Sequence, residues 1–190
     1  MRCATCWQGS EHEPLRTRSE SFDGADVIVR AATHADAAAV AAIYAPQVEH
    51  GTASFETVPP SDAEMAARMA RVIDAGWPWL VAEADDAIIG YAYAAQFRDR
   101  AAYAATCENS VYVDGDAHRR GAGTALLVAL IAAARAAGFR EMIAVIGDGS
   151  GNIASRRLHA ACGFRDVGVL TNVGNKFGRW LDVAYMQRGL

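Results

Sequence analysis

Lysine is nearly missing from this chain: of its 18 basic residues only Lys176 is a lysine, and the rest are arginine. Against 22 acidic residues the net charge is −4, which argues against a general nucleic-acid binder, because that role calls for a basic excess. Long apolar runs are missing as well. The weakly polar stretch from Gly121 to Ala134 ends at Arg135, short of the roughly 20 residues of a membrane span. Met1 to Asp23 is polar and mixed in charge, with no apolar signal core. Cysteine is scarce, at Cys3, Cys6, Cys107 and Cys162. The C-x-x-C pair Cys3/Cys6 has no second pair to complete a zinc site and no preceding strand for a redox motif. No metal site is expected, and a reducing, cytoplasmic compartment is the simplest reading.

What is present suits one folded unit. The 190 residues leave little room for a second domain, and an apolar fraction of 52% excludes disorder throughout. Alanine is abundant through compositional bias, so it carries little functional information. Residues 1–25 are polar with no apolar period, and are read as a flexible extension ahead of a domain over 26–190.

Strand and helix signals then alternate. Val27 to Val29 is a short strand; Thr33 with Asp36 starts a helix carrying Val40, Ile43 and Tyr44, which Pro46 disturbs or ends. Ala53 to Phe55 is expected as a strand. Ser61 and Glu64 form a capping box for a helix with Met65, Met69 and Val72, closed by Gly76. Trp79–Glu83 and Ile88–Ala94 read as a hairpin turning at Asp85-Asp86. A strand at Ser110–Val113, a helix from Gly121 to Gly138, a strand at Met142–Ile146 and a helix from Asn152 to Cys162 follow. Val167–Leu170 and Leu181–Met186 finish as strands. The order predicts an α/β fold, a mixed sheet with helices on both faces.

The loop after Val113 is the most informative segment. It runs His118-Arg119-Arg120-Gly121-Ala122-Gly123-Thr124 into the long helix. Strand, glycine turn and helix N-terminus is the recipe for an anion site, because unpaired amides and the helix dipole face one point. It is not a dinucleotide fingerprint, since Leu126 stands where a third glycine would be, and it lacks the Gly-Lys-Ser/Thr of a P-loop. A tight strand-to-helix turn with solvated arginines is the alternative.

That loop resembles the pyrophosphate loop of the GNAT superfamily of N-acetyltransferases. Phe97 to Tyr103, Glu108-Asn109-Ser110-Val111-Tyr112-Val113, Asn152 to His159, Gly163-Phe164 and Lys176 to Asp182 are similar to its phosphinothricin and methionine sulfoximine acetyltransferase branch. The resemblance covers about Ile28 to Gln187. It implies the GNAT acyltransferase fold and acetyl-CoA as co-substrate. The pantetheine arm would lie along Val111, Tyr112 and Val113. The pyrophosphate would sit on His118, Arg119, Arg120, Gly121, Ala122, Gly123 and Thr124, and Asn152 would touch the arm. His118 stands where relatives carry Gln or Arg, and Asn175 replaces an apolar residue before the lysine.

The resemblance also implies chemistry. Glu108 matches a glutamate taken as the base that deprotonates the acceptor amine; burial among Cys107, Val111 and Tyr112 would raise its pKa toward a useful range. His159 stands where many of the superfamily carry a thiolate-protonating tyrosine, and imidazole can serve as acid or auxiliary base. Backbone amides of Tyr112-Val113 would meet the oxyanion. Cys162, at a helix end, is read as a buried structural thiol. Phe55, Glu56, Arg98, Arg100, Tyr103, Lys176 and Trp180 are the acceptor candidates, since an amino-acid acceptor calls for cations and an aromatic wall. The function implied is acetyl transfer to a small amino-acid-like amine. An aminoglycoside, polyamine or protein amine is the alternative acceptor, and a silent CoA-binding regulatory domain the alternative class. A homodimer pairing near Trp180, Leu181 and Val183 is expected by analogy.

Overall fold

The computed structural model describes residues 17–19, 27–117 and 120–190. Eight strands and four helices follow one another as β1 (Thr17–Ser19), β2 (Val27–Ala31), α1 (Ala37–Glu49), α2 (Asp62–Asp74), β3 (Trp79–Ala84), β4 (Ala87–Gln96), β5 (Thr106–Val113), α3 (Ala122–Ala136), β6 (Glu141–Gly147), α4 (Ile153–Ala161), β7 (Arg165–Lys176) and β8 (Arg179–Gly189). They make one mixed sheet in the order β1-β2-β3-β4-β5-β6-β8-β7. Every pairing is antiparallel except β5 with β6, which α3 connects as a crossover.

Alternation along β3 shows how the layers form. Trp79 and Val81 pack with α1 and α2, through Val40, Tyr44, Met65 and Met69. Leu80, Ala82 and Ala84 face the other way, onto Leu126, Leu127 and Leu130 of α3. The sheet is therefore buried on both sides, α1 and α2 on one and α3 and α4 on the other. Asp85 and Asp86, at φ 52° and 61°, turn β3 into β4, the positive-φ pair that a two-residue hairpin needs. Ser61 caps α2 by accepting from the Glu64 amide at 3.2 Å.

Several expectations change. Pro46 does not end α1: the helix runs on to Glu49, because Val48 in its last turn is fully buried and holds that turn against the core. Ala53 to Phe55 is not a strand but an irregular segment between α1 and α2. It has no strand partner, and Ala53 instead puts its carbonyl against Gly147. Strands β5, β7 and β8 are longer than their apolar cores suggested. Leu181 and Val183, expected to offer pairing surface, are buried. Within the stretch read as an extension, Thr17–Ser19 pair with β2; Cys3, Cys6 and the rest of that stretch lie outside the described residues.

Candidate active site

The site begins where two strands part. Strand β5 pairs with β6 only from Thr106↔Glu141 to Asn109↔Ala144. Beyond that point β5 continues against β4 to Val113, while β6 continues against β8 to Gly147. The wedge leaves the β6-facing edge of Ser110 to Val113 without a strand partner. Such an edge presents alternating N–H and C=O groups to any extended amide-bearing chain laid along it.

The second part is the turn into α3. Gly121 caps the helix at φ 80°, a conformation that glycine adopts without steric cost. Among the described residues no side chain caps α3, which leaves its first-turn amides and the positive end of its dipole available to an anion. Val111, Tyr112, Val113, Gly121, Ala122, Gly123, Thr124 and Asn152 share one cavity of about 510 Å³ with Gln47, Ala53, Ala117, Ala154, Ser155 and Leu158. The open strand edge, the uncapped helix and this volume fit a pantetheine arm and its pyrophosphate. Arg120 is turned aside, bonding Asp85 at 2.8 Å. His118 and Arg119 lie outside the described residues. Asn152 caps α4, its Oδ1 accepting from the Ser155 amide at 3.2 Å, which places its side chain at the cavity wall.

Glu108 and His159 flank β5 from opposite sides. Cys107 packs toward α3 and Asn109 meets His159 on α4, so Glu108 between them faces the α1–α2 side. Its carboxyl is held above its ordinary pKa by burial, with Arg98 pulling the other way from 4.0 Å. Arg98 lies over the Phe97 ring at 4.1 Å, and Tyr103 meets that ring edge-on. Thus Arg98, Tyr103 and Glu108 are brought close. Arg100 is exposed, and its carbonyl accepts from Gln96 Nε2. His159 is buried and its pKa is lowered by that burial. Its Nδ1 is 2.8 Å from the Ser155 carbonyl.

Of the remaining acceptor candidates, Phe55, Glu56 and Lys176 lie near one another and Trp180 is exposed. Phe55 lies over Gly174 of β7, so close that any side chain there would strike the ring. Lys176 is 3% exposed and donates to the Ser54 carbonyl at 2.7 Å. Glu56 is clasped by Arg68 at 2.7 and 3.1 Å and accepts from Tyr44 Oη at 3.0 Å. Burial alone would raise its pKa, but Arg68 and Tyr44 hold it below the ordinary value. Trp180 is 67% exposed on β8, paired with Asn175 of β7. A second cavity of about 450 Å³ opens on the α1–α2 side, walled by Tyr44, Glu56, Arg68, Trp79, Tyr91 and Tyr93. Arg68 and Tyr93 escaped the sequence reading. The Glu64/Arg68 spacing shows an i,i+4 pair, but nothing local signals that Arg68 also reaches Glu56.

Comparison with known proteins agrees with this geometry. The family model described as Acetyltransferase (GNAT) domain matches residues 29–185. The chain is 55% identical over 162 residues to phosphinothricin N-acetyltransferase of Alcaligenes faecalis, covering 85% of this chain and 82% of that one. It is 40% identical over 163 residues to the L-methionine sulfoximine/L-methionine sulfone acetyltransferase of Pseudomonas aeruginosa, covering 85% and 94%. Among solved structures, a GNAT superfamily phosphinothricin acetyltransferase from Sinorhizobium meliloti in complex with AcCoA superposes with a TM-score of 0.84 at 44% identity, covering 86% and 88%. With its wedge, its uncapped helix and these relatives, the chain belongs to the GNAT family of acetyltransferases, enzymes that take their acetyl group from acetyl-CoA.

Proposed function

We propose that this acetyltransferase acts on the primary amine of a small amino-acid-like acceptor of the phosphinothricin or methionine sulfoximine type. The observation that carries the reading is the wedge between β5 and β6 with a partly buried carboxylate, Glu108, on its far side. The relatives named for phosphinothricin and methionine sulfoximine support the acceptor class. Acetyl-CoA enters as co-substrate, its arm along Val111 to Val113 and its pyrophosphate at the first-turn amides of Gly121 to Thr124.

The chemistry follows from the two sides of β5. Most aliphatic amines are protonated at neutral pH, so one proton must leave before attack. Glu108 takes it, directly or through water. The free amine attacks the thioester carbon, amides of the Tyr112-Val113 region stabilise the oxyanion, and the C–S bond breaks. The second nitrogen proton goes to the departing sulfur, which balances the step. On the acceptor side Arg98 is the cation nearest the base, and Tyr103 and Phe97 supply the aromatic wall.

Two further features belong to the reading. Strand β7 is the sheet's last strand and exposes Val167, Val169, Leu170 and Val173; with Phe177 in the turn after it and Trp180 they form an apolar edge suited to a second copy of the chain. Light scattering giving a two-chain mass at micromolar concentration is the expected result. Cys107 and Cys162 are free, buried thiols, which suits a reducing, cytoplasmic setting.

A thiol-release assay with acetyl-CoA against phosphinothricin, methionine sulfoximine, kanamycin and spermidine tests the acceptor class. Turnover confined to the two amino acids is expected. Preference for kanamycin or spermidine would overturn the acceptor, and CoA binding without turnover on any amine would overturn the enzyme reading. The cationic acceptors are disfavoured because Glu56, the acidic group at the second cavity, is already neutralised by Arg68.

A further inference from the structure

His159 is held by two contacts whose hydrogen-bond logic conflicts unless one side chain turns. Its Nδ1 lies 2.8 Å from the Ser155 carbonyl, which can only accept, so Nδ1 carries a proton. A bare Nδ1 at that distance would set two lone pairs against each other. The Ser155 hydroxyl, at 3.4 Å, is the weaker neighbour. On the other side Nε2 lies 3.3 Å from Asn109 Oδ1, also an acceptor, while Asn109 Nδ2 is buried with no partner among the described residues. With Oδ1 facing the ring, His159 would have to be a buried imidazolium. Yet among the described residues no counter-charge faces it.

The surroundings of the ring are neutral on every side. Asn109 faces it from β5, Ser155 from its own helix, and Phe164 meets it edge-on at 5.0 Å. The small wedge cavity that His159 and Asn109 line is otherwise bounded by Ser110, Val111, Tyr112, Asn152 and apolar residues. Tyr112 is the other titratable group on that wall, and its burial keeps its hydroxyl protonated. A lone imidazolium here would be expensive, in keeping with the lowered pKa of His159. The two ends of a carboxamide have the same shape, so the hydrogen-bond network decides which end faces the ring. Turning the Asn109 amide by half a rotation brings Nδ2–H onto Nε2. One move gives the orphaned amide its partner and leaves the imidazole neutral.

We propose that Asn109 is a positioning residue that donates to His159 Nε2 and locks the ring as the neutral Nδ1–H tautomer. This rests on the acetyltransferase reading of the wedge and decides the role left open for His159. In the resting enzyme Nε2 has no proton to give, so His159 does not protonate the departing thiolate. It ties α4 to β5 at the point where the wedge opens, and proton handling falls to Glu108 and the attacking amine.

Long-range ¹H–¹⁵N correlation of the histidine rings in the full chain at pH 7.5 tests the tautomer without any turnover. A protonated Nδ1 with an unprotonated Nε2 at His159 is expected; a protonated Nε2 overturns the proposal. Asn109→Asp keeps the shape but offers a carboxylate, which should pull a proton onto Nε2 and raise the pKa of His159 by about 1 unit or more. Asn109→Leu removes the donor and should release the tautomer, giving mixed Nδ1–H and Nε2–H signals. If N109L keeps the wild-type ring signals, or the His159 ring of N109D titrates where the wild-type ring does, Asn109 does not position His159. Loss of all acetyl transfer with the expected ring signals would instead fail the functional reading alone.

Discussion

The two sides of β5 are built from different material. Toward α3 and α4 the cavity is walled by backbone, glycines, alanines and short side chains: Val111, Gly121, Ala122, Gly123, Ala154. Toward α1 and α2 the cavity wall and its surroundings are long charged and aromatic groups: Glu56, Arg68, Trp79, Tyr93, with Glu108 and Arg98 beyond them. A cofactor held by main-chain amides is recognised through geometry that many sequences can supply. An acceptor held by side chains is recognised through particular groups at particular distances. The first side is suited to one shared co-substrate, and the second to distinguishing between amines.

Substitutions that act on one side alone should separate the two. Glu108→Gln keeps the shape and removes the carboxylate proposed as the base, so kcat/KM should fall about 10²- to 10⁴-fold while calorimetric CoA affinity stays near wild type. Raising the pH should recover part of the loss as free amine forms in solution. An unchanged turnover at neutral pH would move the base elsewhere. Gly123→Asp acts on the other side. Its Cβ meets only Leu158 and Val113 at ordinary contact distance, so the fold should tolerate it. The added negative charge beside the α3 amides should weaken CoA binding about tenfold or more, each factor of ten being about 1.4 kcal/mol. CoA affinity equal to wild type would remove the loop from the cofactor site.

Lys176→Met asks whether that lysine belongs to the acceptor side or to the frame. Losing its bond to the Ser54 carbonyl should lower stability by about 1–3 kcal/mol in denaturant unfolding. A raised acceptor KM with no stability change would instead mean direct contact with substrate. Arg98→Gln is the mildest. Burial already raises the Glu108 pKa and Arg98 lowers it; removing the cation raises it further, so the carboxylate ionises only at higher pH. The acid limb of kcat/KM should move up, by about half a unit, because Arg98 is half exposed and screened. An acid limb that stays in place would show that the 4.0 Å pair is not felt by the base.

The turn at Gly121 was legible because its chemistry is local: a strand, two glycines and a helix start occupy adjacent positions, and the backbone itself makes the site. Glu108 was legible through the family resemblance, which matched it to a glutamate just ahead of the strand at Ser110–Val113. The diversion of Arg120 to Asp85, the clasp of Arg68 on Glu56 and the burial of Lys176 under Ser54 were not legible. Each joins residues 12 to 122 positions apart in the chain, and only packing sets those distances. Ala53 to Phe55 failed differently. Its apolar pattern suits a strand, but the segment packs its Ala53 carbonyl against Gly147 and its Phe55 ring against Gly174 instead of pairing.

From its amino-acid order alone this protein acquires its helix and strand segments, the αL turn that only glycine fits easily, and the buried two-faced alternation that makes a sheet between helix layers. These depend on residues within a turn or two of one another, where sterics and local hydrogen bonds decide. The tertiary structure decided where β5 leaves β6, and that parting creates the wedge. It also decided that Glu108 and His159 lie on opposite sides of β5, and that Asn109, unremarkable in sequence, meets the His159 ring. The physical reason is that a strand's alternation assigns its side chains to two faces, but which helix covers each face is fixed only when the distant elements pack.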